Sequence, residues 1–155
     1  SLTDLVYKLK GVTHASILGK KEWFLRNSYD ESLKVAQDYS LWVTAAAKQD
    51  FNIKLLEAPL YYYREEGNVK AKKMLLAYEY ERRLFKKHLS ELESKKLILK
   101  SLLKSALVKG LTLVGQMDVL LKKRGTREDN HVIIAKLQAD IKTIKATRVP
   151  LKDFK

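Results

Sequence analysis

The chain has no cysteine, and only two prolines and six glycines in 155 residues. Without cysteine there is no disulfide framework and no thiolate metal site, and nothing speaks for an oxidising compartment. No uncharged apolar run approaches the roughly 18 residues that suggest a membrane span. The first residues carry no charged stretch followed by an apolar one of the kind read as a secretory leader, so neither secretion nor spanning is expected. Also absent are a D-x-D sequence, a glycine-rich phosphate loop ahead of a helix, an internal repeat and a low-complexity block.

What is present is apolar enough to fold, at 46% hydrophobic residues, and strongly basic, with a net charge of +13. The charge is uneven. Residues 1–64 hold nine basic against seven acidic side chains, whereas residues 65–155 hold 22 against 11. The basic field therefore belongs to the second part of the chain, where it attracts phosphate, whether on nucleic acid, on anionic lipid headgroups or on a pyrophosphate-linked substrate.

The first 64 residues read as mixed α/β. Residues 12–18, bounded by Gly11 and Gly19 and rich in β-branched and small side chains, predict a short strand. Residues 20–26 predict one or two helical turns closed at Asn27-Ser28, and residues 37–49 a helix ending near Asp50. Two strands are expected over 52–57 and 60–64, interrupted by Pro59, with Ile53, Leu55, Tyr61 and Tyr63 alternating. After Gly67-Asn68 the texture becomes helical. Residues 70–88 are rich in helix formers, and Ser90 with Glu93 fits a capping box opening a helix that runs toward Leu121, with Gly110 and Gly115 as weak points. Gly125-Thr126 marks a turn, and residues 130–146 repeat Ile133, Leu137, Ile141 and Ile144 on one face.

Three stretches stand out in order and spacing: Tyr29-Asp30-Glu31, then Gln37-Asp38 running into Leu41-Trp42, then Pro59-Leu60 running into Tyr63-Arg64. Together with the upstream Thr13-His14-Ala15-Ser16, they resemble the distal part of the family-2 glycosyltransferases. The likeness covers about residues 11–69. It implies a partial GT-A α/β domain over 1–69 followed by a basic helical region over 70–155, an α+β but predominantly helical class.

By that resemblance Asp38 is the general base of an inverting transfer. A carboxylate at a helix N-terminus is held ionised by free N–H groups and the helix dipole, ready to take the proton of an attacking hydroxyl. The glutamate that usually precedes it is replaced by Gln37, which removes a negative charge but keeps a sugar-binding amide. His14 is a candidate for lining the acceptor cleft or facing a bound metal, Trp42 for stacking on a sugar ring, and Arg64 for clamping a diphosphate. Each also has a plainer reading: a helix cap for Asp38, a structural histidine, a core tryptophan, and an ion pair of Arg64 with Glu65 or Glu66. The D-x-D carboxylates that hold Mg2+ or Mn2+ in such enzymes belong to a donor-binding half, so no metal is expected on this chain. A fragment without turnover of its own is the resulting expectation.

The basic region leaves two partners open. Lys96, Lys100 and Lys104 recur among leucines, so residues 95–124 read either as a helix for an anionic membrane surface or as the solvated side of a helical bundle. A helical interaction module, in which residues 70–155 bind a protein partner or a second copy through apolar stripes, is the alternative reading. Nucleic acid is disfavoured, because acids are interleaved with the basic residues and no reading motif accompanies them. The expected place is the cytoplasm, with a peripheral position at the inner face of the membrane.

Overall fold

The computed structural model describes residues 1–9, 12–56, 61, 70–124 and 131–147. Among these the regular structure is helical, and no strand occurs. The helices are α1 (Leu2–Val6), α2 (Lys21–Arg26), α3 (Gln37–Ala47), α4 (Ala71–His88), α5 (Glu91–Leu113), α6 (Met117–Arg124) and α7 (His131–Ala146), with a 3-10 turn at His14–Ser16. The residues group into two compact units. Ser1–Met117 forms the first, and Asp118–Lys155 the second, which carries α7 and nearly all of α6.

The helical expectations over 20–26, 37–49, 70–88 and 130–146 hold to within a few residues. The strand expectations over 12–18 and 52–56 do not. Residues 12–18 contain the 3-10 turn in place of a strand, and residues 51–56 have no regular structure, with Ile53, Leu55 and Leu56 exposed. A strand needs a ladder partner for its N–H and C=O groups, and β-branched residues alone do not supply one. The 60–64 strand and the 125–126 turn lie outside the described residues, Tyr61 apart.

Three helices of the first unit end in the same way, with a left-handed residue just past the end and two backward hydrogen bonds onto the last turn. At α1 the residue is Lys8 (φ 55), with Leu9 N–H donating to Asp4 O at 2.9 Å. At α3 it is Gln49 (φ 60), with Asp50 N–H donating to Ala45 O at 2.9 Å. At α5 it is Gly115 (φ 69), with Gln116 N–H donating to Leu111 O at 2.8 Å. Gly115 thus stops the helix that the sequence carries on toward Leu121. Gly110 is accommodated within it.

The core is one cluster of Leu5 and Val6 of α1, Leu41, Trp42 and Val43 of α3, Leu84 and Phe85 of α4, and Leu97 of α5. Trp23, Phe24 and Phe51 pack against this cluster from its edge. A Cβ added at Gly19 would come within 2.6 Å of Phe24 Cε2, so the bare backbone there lets the ring seat. One long-range ion pair ties the start of the unit to its middle. The left-handed Lys8 sends Nζ to Glu81 Oε1 at 2.6 Å, and Glu81 is otherwise a buried carboxylate on α4.

α4 and α5 pack through an unusual seam. The buried residues of α5 are Ser94, Leu97, Ser101, Ser105 and Val108, three of them serines. Arg82 of α4 lays one guanidinium nitrogen between Ser101 Oγ and Ser105 Oγ, at 3.1 Å from each. Ser105 also donates to Ser101 O at 3.0 Å, so the polar atoms of the seam are satisfied locally. Small side chains let the two helices approach closely.

Candidate functional site

Asp38 lies in the first turn of α3, half-buried, its Oδ1 accepting from Tyr39 N–H at 2.8 Å. The helix start is strained. Ala36, the residue that leads in, sits in the left-handed region (φ 58, ψ 27), which costs a residue with a Cβ about 1 kcal/mol. Gln37 helps to hold this entry, since its amide nitrogen donates to Leu33 O at 2.8 Å across the preceding turn. That contact gives Gln37 a turn-fastening role, whereas sequence reasoning offered its amide to a sugar.

Tyr29 feels the charge of Asp38. Partial burial, and secondly the Asp38 carboxylate, raise the Tyr29 phenol above its ordinary range. The Tyr29 hydroxyl in turn lies 2.5 Å from His14 Nε2, with the two rings edge to face at 5.6 Å. His14 and Tyr29 are thereby paired, though 15 positions separate them. His14 is exposed, and its ring centroid lies 6.3 Å from that of Trp42.

Trp42 itself is 2% exposed, with Phe51 at 5.4 Å and Trp23 at 5.9 Å between ring centroids. The plainer reading of Trp42 is the one that fits: it is core, and its faces are taken up by other rings. Its Nε1 reaches no hydrogen-bond acceptor. Trp23, by contrast, donates from Nε1 to Asp50 O at 2.7 Å. Arg64 lies outside the described residues.

Tyr29 also lines a cleft of about 300 Å³ between the 28–33 turn, α3 and α4. Its polar groups include Ser28, Asp30, Thr44, Arg83 and Lys87. Asp30 Oδ1 accepts from both the N–H and the hydroxyl of Ser32, at 3.0 and 2.6 Å. These bonds, with the Lys87 charge, hold its carboxyl below the usual carboxylate range. Close by, His88 Nε2 is 3.4 Å from Thr44 Oγ1, and burial first, then Lys87 and Lys48, push its imidazole pKa down. A shallow cleft with a carboxylate, hydroxyls and cations suits a polyhydroxylated ligand better than an apolar one. Sequence reasoning missed Asp30, Arg83 and Lys87 as site residues. The Asp30-x-Ser32 turn carried a signal for the first of them, but α4 had given none for the others.

Among the described residues, no group of three or more His, Asp or Glu side chains is placed to hold a metal ion. No helix among them is long and apolar enough to cross a membrane. Compared with known proteins, the chain matches no family model, no curated protein and no solved structure.

Proposed function

We propose that this chain is the acceptor-side part of an inverting family-2 glycosyltransferase, which moves a sugar from a nucleotide-sugar donor to a saccharide or lipid-linked acceptor. The observation that carries this reading is the pairing of His14 with Tyr29, whose phenol also feels the charge of the Asp38 carboxylate. These residues come from three separate stretches of the family resemblance, and nothing in their spacing requires His14 to reach Tyr29. The cleft beside Tyr29 supports it with hydroxyl-binding groups.

In this mechanism the Asp38 carboxylate accepts the proton of the acceptor hydroxyl as its oxygen attacks the anomeric carbon, while the bond to the nucleoside diphosphate breaks on the opposite face. The Tyr29 hydroxyl and His14 line the approach and orient the acceptor. Asp30 and Lys87 bind its further hydroxyls. Mg2+ or Mn2+ held by a donor-binding half would neutralise the leaving diphosphate.

The test joins this chain to a nucleotide-sugar-binding half. Asp38→Asn should then lower kcat about 10²–10⁴-fold while donor binding, read by calorimetry, stays unchanged. An undiminished kcat removes Asp38 from the chemistry. For the chain alone, NMR titration with oligosaccharides should move the His14 and Tyr29 resonances, and shifts confined elsewhere would place the sugar site away from this cluster.

A further inference from the structure

α5 turns its leucines away from the core. In a helix of 3.6 residues per turn, positions two apart lie on nearly opposite sides. Beside the buried Ser94 stands Leu92, beside Leu97 stands Leu99, and Ser101 and Ser105 are followed by Leu103 and Leu107, all of them exposed. Leu102 and Leu113 extend the same outward face, Leu113 being 87% exposed. A helix that buries serines and exposes leucines is inverted relative to an ordinary surface helix, and contiguous apolar surface of this kind marks an interaction face.

Charge selects the occupant. From Ser94 to Met117 the sequence has five lysines and no acidic residue. By the same periodicity, Lys100 stands along one border of the leucine face and Lys109 along the other, with Lys95 and Lys96 at its N-terminal end. The acids of α5 are confined to its first turn, where Glu91 pairs with Lys95, so along Leu99, Leu102, Leu103 and Leu107 a second copy would set lysines against lysines with no acid between them. The apolar face is also broad, taking in Leu99, Leu102, Leu103 and Leu107, where a paired coiled-coil helix presents a narrow seam. A wide leucine face bordered by lysines long enough to reach upward matches the boundary between acyl chains and anionic headgroups.

We propose that the outward face of α5 docks the protein on an anionic lipid bilayer, with Leu99, Leu103 and Leu107 among the acyl chains and Lys100 and Lys109 at the headgroups. This surface stands independently of the sugar-transfer reading, because neither His14 nor Asp38 takes part in it.

The experiment is sedimentation of the full chain with vesicles of phosphatidylcholine containing roughly a third phosphatidylglycerol, against vesicles of phosphatidylcholine alone. Binding to the anionic vesicles should exceed that to the neutral ones at least tenfold. The variant carrying Leu99→Ser and Leu103→Ser, which keeps every charge, should lose at least tenfold of that binding while its circular dichroism is unchanged. Because the chain has no cysteine, Leu103→Cys labelled with an environment-sensitive dye reports insertion directly. Its emission should shift to the blue on anionic vesicles, while the same dye at Asn52→Cys should not shift. Three results overturn the proposal: no binding to anionic vesicles, binding that survives the serine variant in full, or a lipid-free dimer in analytical ultracentrifugation that the serine variant converts to monomer.

Discussion

Arg26 and Asp50 close the edge of the aromatic cluster in a two-pronged contact, Nε to Oδ2 at 2.7 Å and Nη2 to Oδ1 at 2.8 Å. Asn27 adds a third donor to the same carboxylate at 2.7 Å. Held first by Arg26 and then by Asn27, the Asp50 carboxyl is lowered to about 2, and Asp50 also receives Trp23 through its backbone carbonyl.

That value fixes an acid dependence. In the unfolded chain the group titrates near its ordinary 3.8, so between that pH and about 2 the unfolded state binds more protons than the folded one. The contribution is complete above about pH 4 and is lost as pH falls through about 2. Urea midpoints measured from pH 5 to pH 2 should therefore fall less steeply for Asp50→Asn than for the parent chain. Parallel profiles would show the contact to be inert.

The Lys8–Glu81 pair predicts an asymmetric result. Lys8→Met leaves a buried carboxylate without its cation and should destabilise the fold by about 1–3 kcal/mol. Adding Glu81→Gln should restore part of the loss. A double-mutant cycle by chemical denaturation measures this, and additive losses would mean that the two groups do not interact in solution.

Two substitutions on α5 separate its faces. Ser101→Leu forces a large side chain into the close α4–α5 seam and displaces the Arg82 contact, at a cost of about 1–3 kcal/mol. Leu99→Ser, on the exposed side, should stay within about 0.5 kcal/mol of the parent. Thermal denaturation that ranked them the other way would show that α5 packs through its leucines.

Tyr29 provides a probe of the candidate site. Its phenol should ionise above the usual 10.0, and Asp38→Asn should bring that ionisation part of the way down, since burial accounts for the larger share of the shift. Because the folded phenol holds its proton more tightly, the associated stability is whole below about pH 10 and declines above it. Absorbance or NMR titration reads the change, and a Tyr29 value indifferent to Asp38 would separate the two residues.

The sequence made the helices legible because their signals are local. Ser90 caps α5 as expected, its hydroxyl accepting from Glu93 N–H at 3.4 Å, although the Glu93 carboxylate turns to the Ser90 hydroxyl at 2.8 Å rather than to the backbone. Gly115 was legible as a weak point, and its positive φ makes it a terminator. The strand expectations over 12–18 and 52–56 do not hold because pairing is not local: Ile53 and Leu55 alternate correctly, yet among the described residues nothing forms a ladder with them. The leucine period of α5 was equally clear, but a period does not say which face turns inward. Ser101 and Ser105 decide that through Arg82, a residue some twenty positions away. At the site, Asp38 and His14 were marked by their motif, whereas Lys87 joined the cleft only through the packing of α4 on α3.

The contrast between the two indoles has a practical outcome. Trp23 donates its N–H to a carbonyl at the rim, while Trp42 keeps its own unshared among buried rings. Two emitters that differ in polarity and depth, in one short polypeptide, should give overlapping but separable fluorescence bands. Loosening at the rim would then redden one colour before the other, so that partial opening of the molecule becomes visible without any added dye.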